Sequence, residues 1–254
     1  PGNDQLTLEV QGIGGQVYAI PYEDISLVVS ESDPISFTSI RKEELLNYLL
    51  LHQSAIEKIM QNYSVIPLKF GTFLEEDRDI QKIMEKGYLP FKESLDSLNG
   101  KIELNLVALW ANLNEVLKEI GELPEIQQLK EAIVQRPLSE RVQGGIELGK
   151  MVKGLLDKKR DETAAEISSV LKDKAYAFCQ QAVLNDGMIC NIAFLIDKEK
   201  KEEFEKELEE LDKKYGGKIN FKLVGPLPPY SFATFEIKKI TPDAIFYAKA
   251  VLGI

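Results

Sequence analysis

One histidine and two cysteines are all that 254 residues supply of the side chains most often recruited for nucleophilic catalysis and metal binding. Two thiols are too few for a disulfide framework or a four-thiolate zinc site, so Cys179 and Cys190 read as reduced core residues. His52 stands alone in a helical stretch. A catalytic imidazole needs a nucleophile or carboxylate brought to it by the fold, and a metal site needs further nitrogen or sulfur ligands. It therefore reads as a structural residue at a core edge. Long apolar runs are absent too. Runs such as Ile192-Ala193-Phe194-Leu195-Ile196 fall far short of the ~18 residues that span a bilayer. No secretory apolar region opens the chain. Positive charge is in deficit, with 31 Lys and Arg against 41 Asp and Glu, a net −10. Such a chain gains nothing from counterion release, which excludes a general affinity for nucleic acid or an anionic membrane. These absences together predict a cytoplasmic protein without cofactor or metal.

Nucleotide motifs fail on inspection. Gly12-Ile13-Gly14-Gly15 lacks the full G-x-G-x-x-G spacing and precedes a strand where a helix N-terminus is required. Gly144-Gly145-Ile146-Glu147-Leu148-Gly149-Lys150-Met151 fits G-x-x-x-x-G-K, but Met151 occupies the position of the magnesium-binding hydroxyl. The polar Ser139-Glu140-Arg141 precedes it where a strand belongs. No G-x-S-x-G elbow is present, and no spacing of carboxylates singles out an acid/base pair.

What is present is an ordinary globular composition, 44% apolar and 28% charged, sufficient for one large or two modest domains. Val17–Ile20 and Ile25–Ser30 read as strands joined by a hairpin-length Pro21-Tyr22-Glu23-Asp24. A helix follows from about Arg41 to Gln61, with Leu45, Leu46, Leu49, Leu50, Ile56, Ile59 and Met60 on one broad side. Ser64 to Phe73 reads as a short edge strand, because Pro67 has no N–H for a ladder, and Gly71 marks a positive φ or a close approach. Asp77 to Leu98 is a polar helical region interrupted by Gly87 and Pro90.

The Asn99-Gly100 turn places a domain boundary, giving domains 1–100 and 101–240. Lys101–Trp110 alternates as a half-buried strand, with Ile102, Leu104, Leu106, Ala108 and Trp110 on one face and Glu103 and Asn105 starting the other. About 112–184 forms an insertion of two or three helices, turning at the charged Asp157–Glu162. Met188–Ile196 is a strand, Lys198–Tyr215 a charged helix ended by Gly216-Gly217, and Ile219–Leu223 a further strand. Phe232–Ile237 gives the last strand, and Thr241–Ile254 a tail helix docking on the domains. The expected fold class is α+β, with a C-terminal modified ferredoxin-like, split βαβ domain.

Between the last two strands lies Gly225-Pro226-Leu227-Pro228-Pro229-Tyr230-Ser231-Phe232. Its prolines and glycine leave little conformational freedom, so it is either a rigid corner or a preorganised docking surface. Tyr230 and Phe232, two apart, share one face.

This stretch resembles the closing signature of the gas vesicle protein F / gas vesicle protein L family. Val65-Ile66-Pro67-Leu68-Lys69-Phe70-Gly71-Thr72, after a helix carrying Leu51-His52-Gln53, is similar to the same family. So are Tyr22–Ser30 and Asn191–Ile196, in the same order. Leu227 stands where members often have Trp. Members open with a short apolar strand before the Gly-rich turn; nothing like it precedes Leu6, and the chain starts at Pro1, which fits a trimmed start. The resemblance implies a non-enzymatic accessory or minor structural protein needed for gas vesicle formation. Its implied partners are the hydrophobic shell protein and other accessory proteins, in the cytoplasm at the gas vesicle. The expected partner-binding residues are Gly225, Pro226, Pro228, Pro229, Tyr230 and Phe232, with Phe70 and Gly71 second. The alternative is a small-molecule-binding protein or enzyme using a cleft between the domains, which would gather convergent carboxylates with perturbed titration.

Overall fold

The structure, a computed structural model, describes residues 7–13, 15–31, 40–72, 77–233 and 235. The fold is α+β. The chain forms two compact units, Pro1–Glu103 with Pro226–Ile254, and Leu104–Gly225. The described residues from Pro226 on, which the sequence reading places in the second domain, group with the first unit.

The first unit opens with an antiparallel meander, β1 (Thr7–Gln11), β2 (Gln16–Tyr22) and β3 (Ile25–Ser30), in the order β1-β2-β3. β1 lies after Leu6 and before the glycine turn, in a stretch for which the sequence reading named no strand. It pairs Thr7 with Tyr18, and the Gly12 N–H closes the turn on Gly15 O at 2.7 Å. The β2–β3 turn needs only Glu23 and Asp24, with Glu23 at φ 52°. That left-handed backbone suits the twist of a two-residue hairpin.

Helix α1 (Lys42–Met60) buries Ala55 rather than its leucine-rich side; Leu46, Leu49 and Leu50 are exposed. Ser64 to Thr72, expected as an edge strand, forms no ladder and runs as irregular chain with Pro67 buried. Helix α2 (Asp77–Leu98) continues through Gly87 and Pro90 instead of breaking. Ile80, Ile83, Met84 and Phe91 are buried along it and form a core with Ile25 of β3. That apolar face outweighs the local cost of Pro90, about 3 kcal/mol in a helix interior.

β4 (Lys101–Trp110) crosses the boundary between the units after Glu103. Asn112 caps α3 (Leu113–Gly121), accepting from the N–H groups of Asn114 and Glu115 at 3.1 and 3.4 Å. Pro124 starts α4 (Pro124–Gln135) at a position where its missing N–H costs nothing. α5 (Leu138–Leu171) runs 34 residues without interruption, so the expected turn at Asp157–Glu162 is helical. Ion pairs one turn apart hold those charges along the helix, Lys153–Asp157 at 2.7 Å and Arg160–Asp157 at 2.7 Å.

Ala177–Gln180, expected to be helical, is strand β5, paired antiparallel with β6 (Met188–Asp197) from Ala177↔Leu195 to Gln180↔Ile192. β6 is buried on both faces. α6 (Lys201–Tyr215) buries Phe204, Leu208 and Leu211 and ends on Gly216 in the left-handed region. β7 (Ile219–Leu227) completes a sheet of order β5-β6-β4-β7. Phe232, Ala233 and Phe235 belong to no strand, correcting the expected last strand. The rest of that strand and the expected helix Thr241–Ile254 lie outside the described residues.

Candidate functional site

The proline corner begins inside β7, whose end carries Gly225 at φ 149° and Pro226, both exposed. The chain then turns rather than extending. Tyr230 N–H donates to Pro228 O at 2.7 Å, and the N–H groups of Phe232 and Ala233 donate to Pro229 O at 3.1 Å. Two prolines, which have no N–H, supply carbonyls that close this tight turn.

Three side chains of the first unit hold the turn. Tyr230, half-buried, donates its O–H to Gln53 Oε1 of α1 at 3.2 Å. Gln53 Nε2 donates to Glu57 Oε1 at 2.8 Å, which turns the amide oxygen toward the phenol. Ser231 donates its N–H to Glu103 Oε2 and its O–H to Glu103 Oε1, both at 2.8 Å. Phe235 meets Phe91 of α2 edge-on, with ring centres 4.9 Å apart.

Glu103 is only 3% exposed. Burial pushes its carboxyl above the ordinary range, and the Ser231 N–H and hydroxyl pull it back by satisfying the charged form. Burial also raises the Tyr230 phenol, with Glu57 and Glu103 adding to the shift.

The second motif meets the same helix one residue away. His52 Nε2 lies 3.0 Å from Leu68 O; since a carbonyl only accepts, this nitrogen carries the proton. The His52 ring faces Phe70 at 5.7 Å and 74°. Gly71 has φ 83°, a left-handed backbone that only glycine takes without strain. Thr72 Oγ1 donates to Lys69 O at 2.7 Å and closes the turn.

Among the sequence-derived site residues, Gly225, Pro226 and Gly71 are exposed, and Phe70 and Tyr230 half-buried. Pro228, Pro229 and Phe232 are buried, Phe232 at 2%, so they support the turn from beneath and are not presented to solvent. An apolar ring and two prolines lose more by facing water than by packing. Adjacent residues of α1, His52 and Gln53, bring Phe70 and Tyr230 to one helix. Gln53, Glu103 and the exposed leucines of α1 were not among the binding residues expected from sequence. Glu103 had a visible signal, a carboxylate between the apolar Ile102 and Leu104 of a strand, which a folded chain buries only with partners.

Among the described residues, no three His, Cys, Asp or Glu side chains are grouped to hold a metal ion. Burial pushes the Cys190 thiol up to about 11, away from the thiolate form a nucleophile needs. An open depression of about 270 Å³, lined by Gly15, Gln16, Tyr18 and Glu31, gathers a single carboxylate. None of the described helices is long and apolar enough to cross a membrane.

Fold and site thus define an α+β protein in which Gln53 and Glu103 hold the turn at Tyr230 and Ser231. Residues 1–234 match the family described as "Gas vesicle synthesis protein GvpL/GvpF". The chain is 26% identical over 248 residues to gas vesicle protein F of Dolichospermum flosaquae, covering 93% of this chain and 95% of that one. With gas vesicle protein F of Microcystis aeruginosa it shares 22% over 230 residues, 89% and 91% of the two chains. The crystal structure of the gas vesicle protein GvpF from Anabaena sp. PCC7120 superposes with a TM-score of 0.78 at 21% identity, over 93% and 95% of the chains. The chain belongs to the GvpL/GvpF family of gas vesicle proteins.

Proposed function

We propose that this chain is a non-enzymatic assembly factor or minor structural component required for gas vesicle formation, which binds the hydrophobic shell protein and other accessory proteins. The observation that carries the proposal is the family match over residues 1–234, under a description that names gas vesicle synthesis. A shell subunit with an apolar face needs a soluble partner to cover it, and a net charge of −10 keeps such a partner in solution. Its place is the gas vesicle in the cytoplasm, without a cofactor.

The binding surface we assign runs along α1. Leu46, Leu49 and Leu50 are exposed one to two turns before Gln53, where Tyr230 sits. Tyr230 and Phe70 meet it through Gln53 and His52, with Gly71 next to Phe70; the proposed binding residues further include Pro226, Pro228, Pro229 and Phe232 of the corner and Gly225 just before it. We read the second unit as a modified ferredoxin-like fold. Its element order, strand, helices, two strands, helix, strand, and the sheet order β5-β6-β4-β7 support this, with α3 to α5 in place of one helix.

Co-purification with the gas vesicle shell protein tests the proposal, comparing the full chain with Leu46→Glu/Leu50→Glu and Tyr230→Ala, each checked by a thermal melt. Retention by wild type and loss by a folded variant is the expected result. A folded wild-type chain that retains no shell protein overturns the shell-binding role.

A further inference from the structure

We propose that Asn99 is a site of spontaneous covalent modification: the Gly100 nitrogen attacks its side-chain amide, leaving aspartate and isoaspartate at the joint between α2 and β4, with the Ser64 hydroxyl promoting the attack. Asn99-Gly100 is the sole Asn-Gly pair in the chain. The two residues form the turn after α2, and both are exposed. Gly100 stands at φ 69°, a left-handed backbone that glycine takes freely. A Cβ built on it meets nothing within 4 Å. Neither a side chain of its own nor a neighbouring group at its Cα obstructs the approach of its nitrogen to Asn99 Cγ. Asn62 and Asn185 are exposed too, but they precede Tyr63 and Asp186, whose side chains stand beside the attacking nitrogen.

The partner of the amide supplies the second observation. Ser64 Oγ donates to Asn99 Oδ1 at 3.2 Å, across 35 positions of sequence. Ser64 opens the irregular stretch after α1, and the fold brings it to the end of α2. A donor on this oxygen draws charge from the carbonyl and stabilises the negative oxygen of the tetrahedral adduct, as a single oxyanion-hole donor does.

The chemistry balances with water alone. Solvent base takes the Gly100 amide proton as the nitrogen bonds to Asn99 Cγ. The bond from Cγ to Nδ2 then breaks, and Nδ2 leaves as ammonia, with a proton returned from solvent. The resulting five-membered succinimide opens by addition of water at either carbonyl. Addition at Cγ gives aspartate. Addition at the main-chain carbonyl gives isoaspartate, in which the backbone runs through the side chain. One ammonia leaves, one water enters, and nothing is oxidised or reduced.

Either product sets a carboxylate just beyond the last turn of α2, three residues from Asp96, where the helix dipole disfavours negative charge. Isoaspartate also lengthens the main chain by one methylene immediately before Lys101 opens β4. The modified chain is therefore expected to melt below the parent.

Incubation of the full chain for several weeks at body temperature and mildly alkaline pH, followed by trypsin and mass spectrometry, tests this. Cleavage after Lys92 and Lys101 releases Glu93–Lys101, in which Asn99 carries the only side-chain amide. A gain of about one dalton in that peptide reports this site alone, and labelling by a protein isoaspartate methyltransferase reports the isomer. Wild type is expected to convert at Asn99 ahead of Asn62 and Asn185. Ser64→Ala is expected to convert about two- to tenfold more slowly, the worth of one neutral hydrogen bond. Ser64→Thr keeps the hydroxyl and the wild-type rate. Asn99→Gln, which must close a less favoured six-membered ring, stays unlabelled in this peptide. A thermal melt of each variant before incubation shows that it is folded. A wild type unchanged at Asn99, or slower there than at Asn62 and Asn185, overturns the proposal. A Ser64→Ala variant that converts as fast as wild type, or faster, overturns the part assigned to Ser64.

Discussion

Ser231 holds both oxygens of Glu103 with its own N–H and O–H, each at 2.8 Å, across 128 positions of sequence. A residue of the proline corner thereby satisfies a carboxylate that is otherwise out of water. The pH dependence of this pair has a definite sign. The folded carboxyl titrates above its ordinary 4.5, so the folded state holds the proton to higher pH than the unfolded one. Below about 4.5 Glu103 contributes no slope; as pH rises from there through the folded value, stability falls, and then it levels. Urea unfolding of wild type and Glu103→Gln across this range should show wild type losing ground to the variant as pH rises. A constant difference would remove Glu103 as the source.

Ser231→Ala deletes one of the two donors and leaves the carboxylate short of a partner. A cost of about 1.5–3 kcal/mol follows for a hydrogen bond to a charged group. The Glu103 carboxyl should titrate still higher, because one of the groups lowering it is gone. Unfolding free energies and carboxyl titration by NMR check both; an unmoved titration contradicts the assigned cause.

Tyr230→Phe keeps the ring and removes only the 3.2 Å bond to Gln53. The bond joins neutral groups at a half-buried position, so the variant should lose about 0.5–1.5 kcal/mol. The loss should shrink when Gln53 is already alanine, which a double-mutant cycle measures.

Gly144 and Gly154 occupy the same helix with opposite surroundings. Gly144→Ala drives a methyl into Ile133 at 2.8 Å, and overpacking of this kind costs about 1–3 kcal/mol. Gly154→Ala meets nothing within 4 Å and should stabilise the protein by up to about 1 kcal/mol. Thermal melts of the two variants should move in opposite directions.

Gly216 ends α6 at φ 56°. Gly216→Ala forces a side chain into the left-handed region and should cost about 1–2 kcal/mol. Gly187→Ala, a turn glycine without a positive φ, serves as the comparison in the same melt.

Much of the architecture was legible in the residues. The alternating start of Lys101–Trp110 and the apolar run of Met188–Ile196 marked β4 and β6, and the thin stripe Phe204, Leu208, Leu211 with Gly216 beyond it marked α6 and its end. The breaks were read less well. Pro90 and the charges of Asp157–Glu162 signalled interruptions, yet both helices run through, because buried faces such as Ile80–Ile83–Met84–Phe91 outweigh a local preference. β5 was invisible because an edge strand as short as Ala177–Gln180 has too little period to separate from a helix.

By itself, then, the sequence determined the class of elements, the absence of a nucleophilic motif, and the family resemblance carried by the proline corner and the His52-Gln53 and Phe70-Gly71 stretches. Only the tertiary structure decided what those stretches do locally. Tyr230 could be read as presented or buried, and Glu103 as an ordinary solvated charge. Their roles depend on partners far away in sequence, Gln53 and Ser231, and periodicity reports the face of an element without reporting what meets it. Burial and hydrogen bonding are properties of pairs, so they exist only once the chain has brought the two members together.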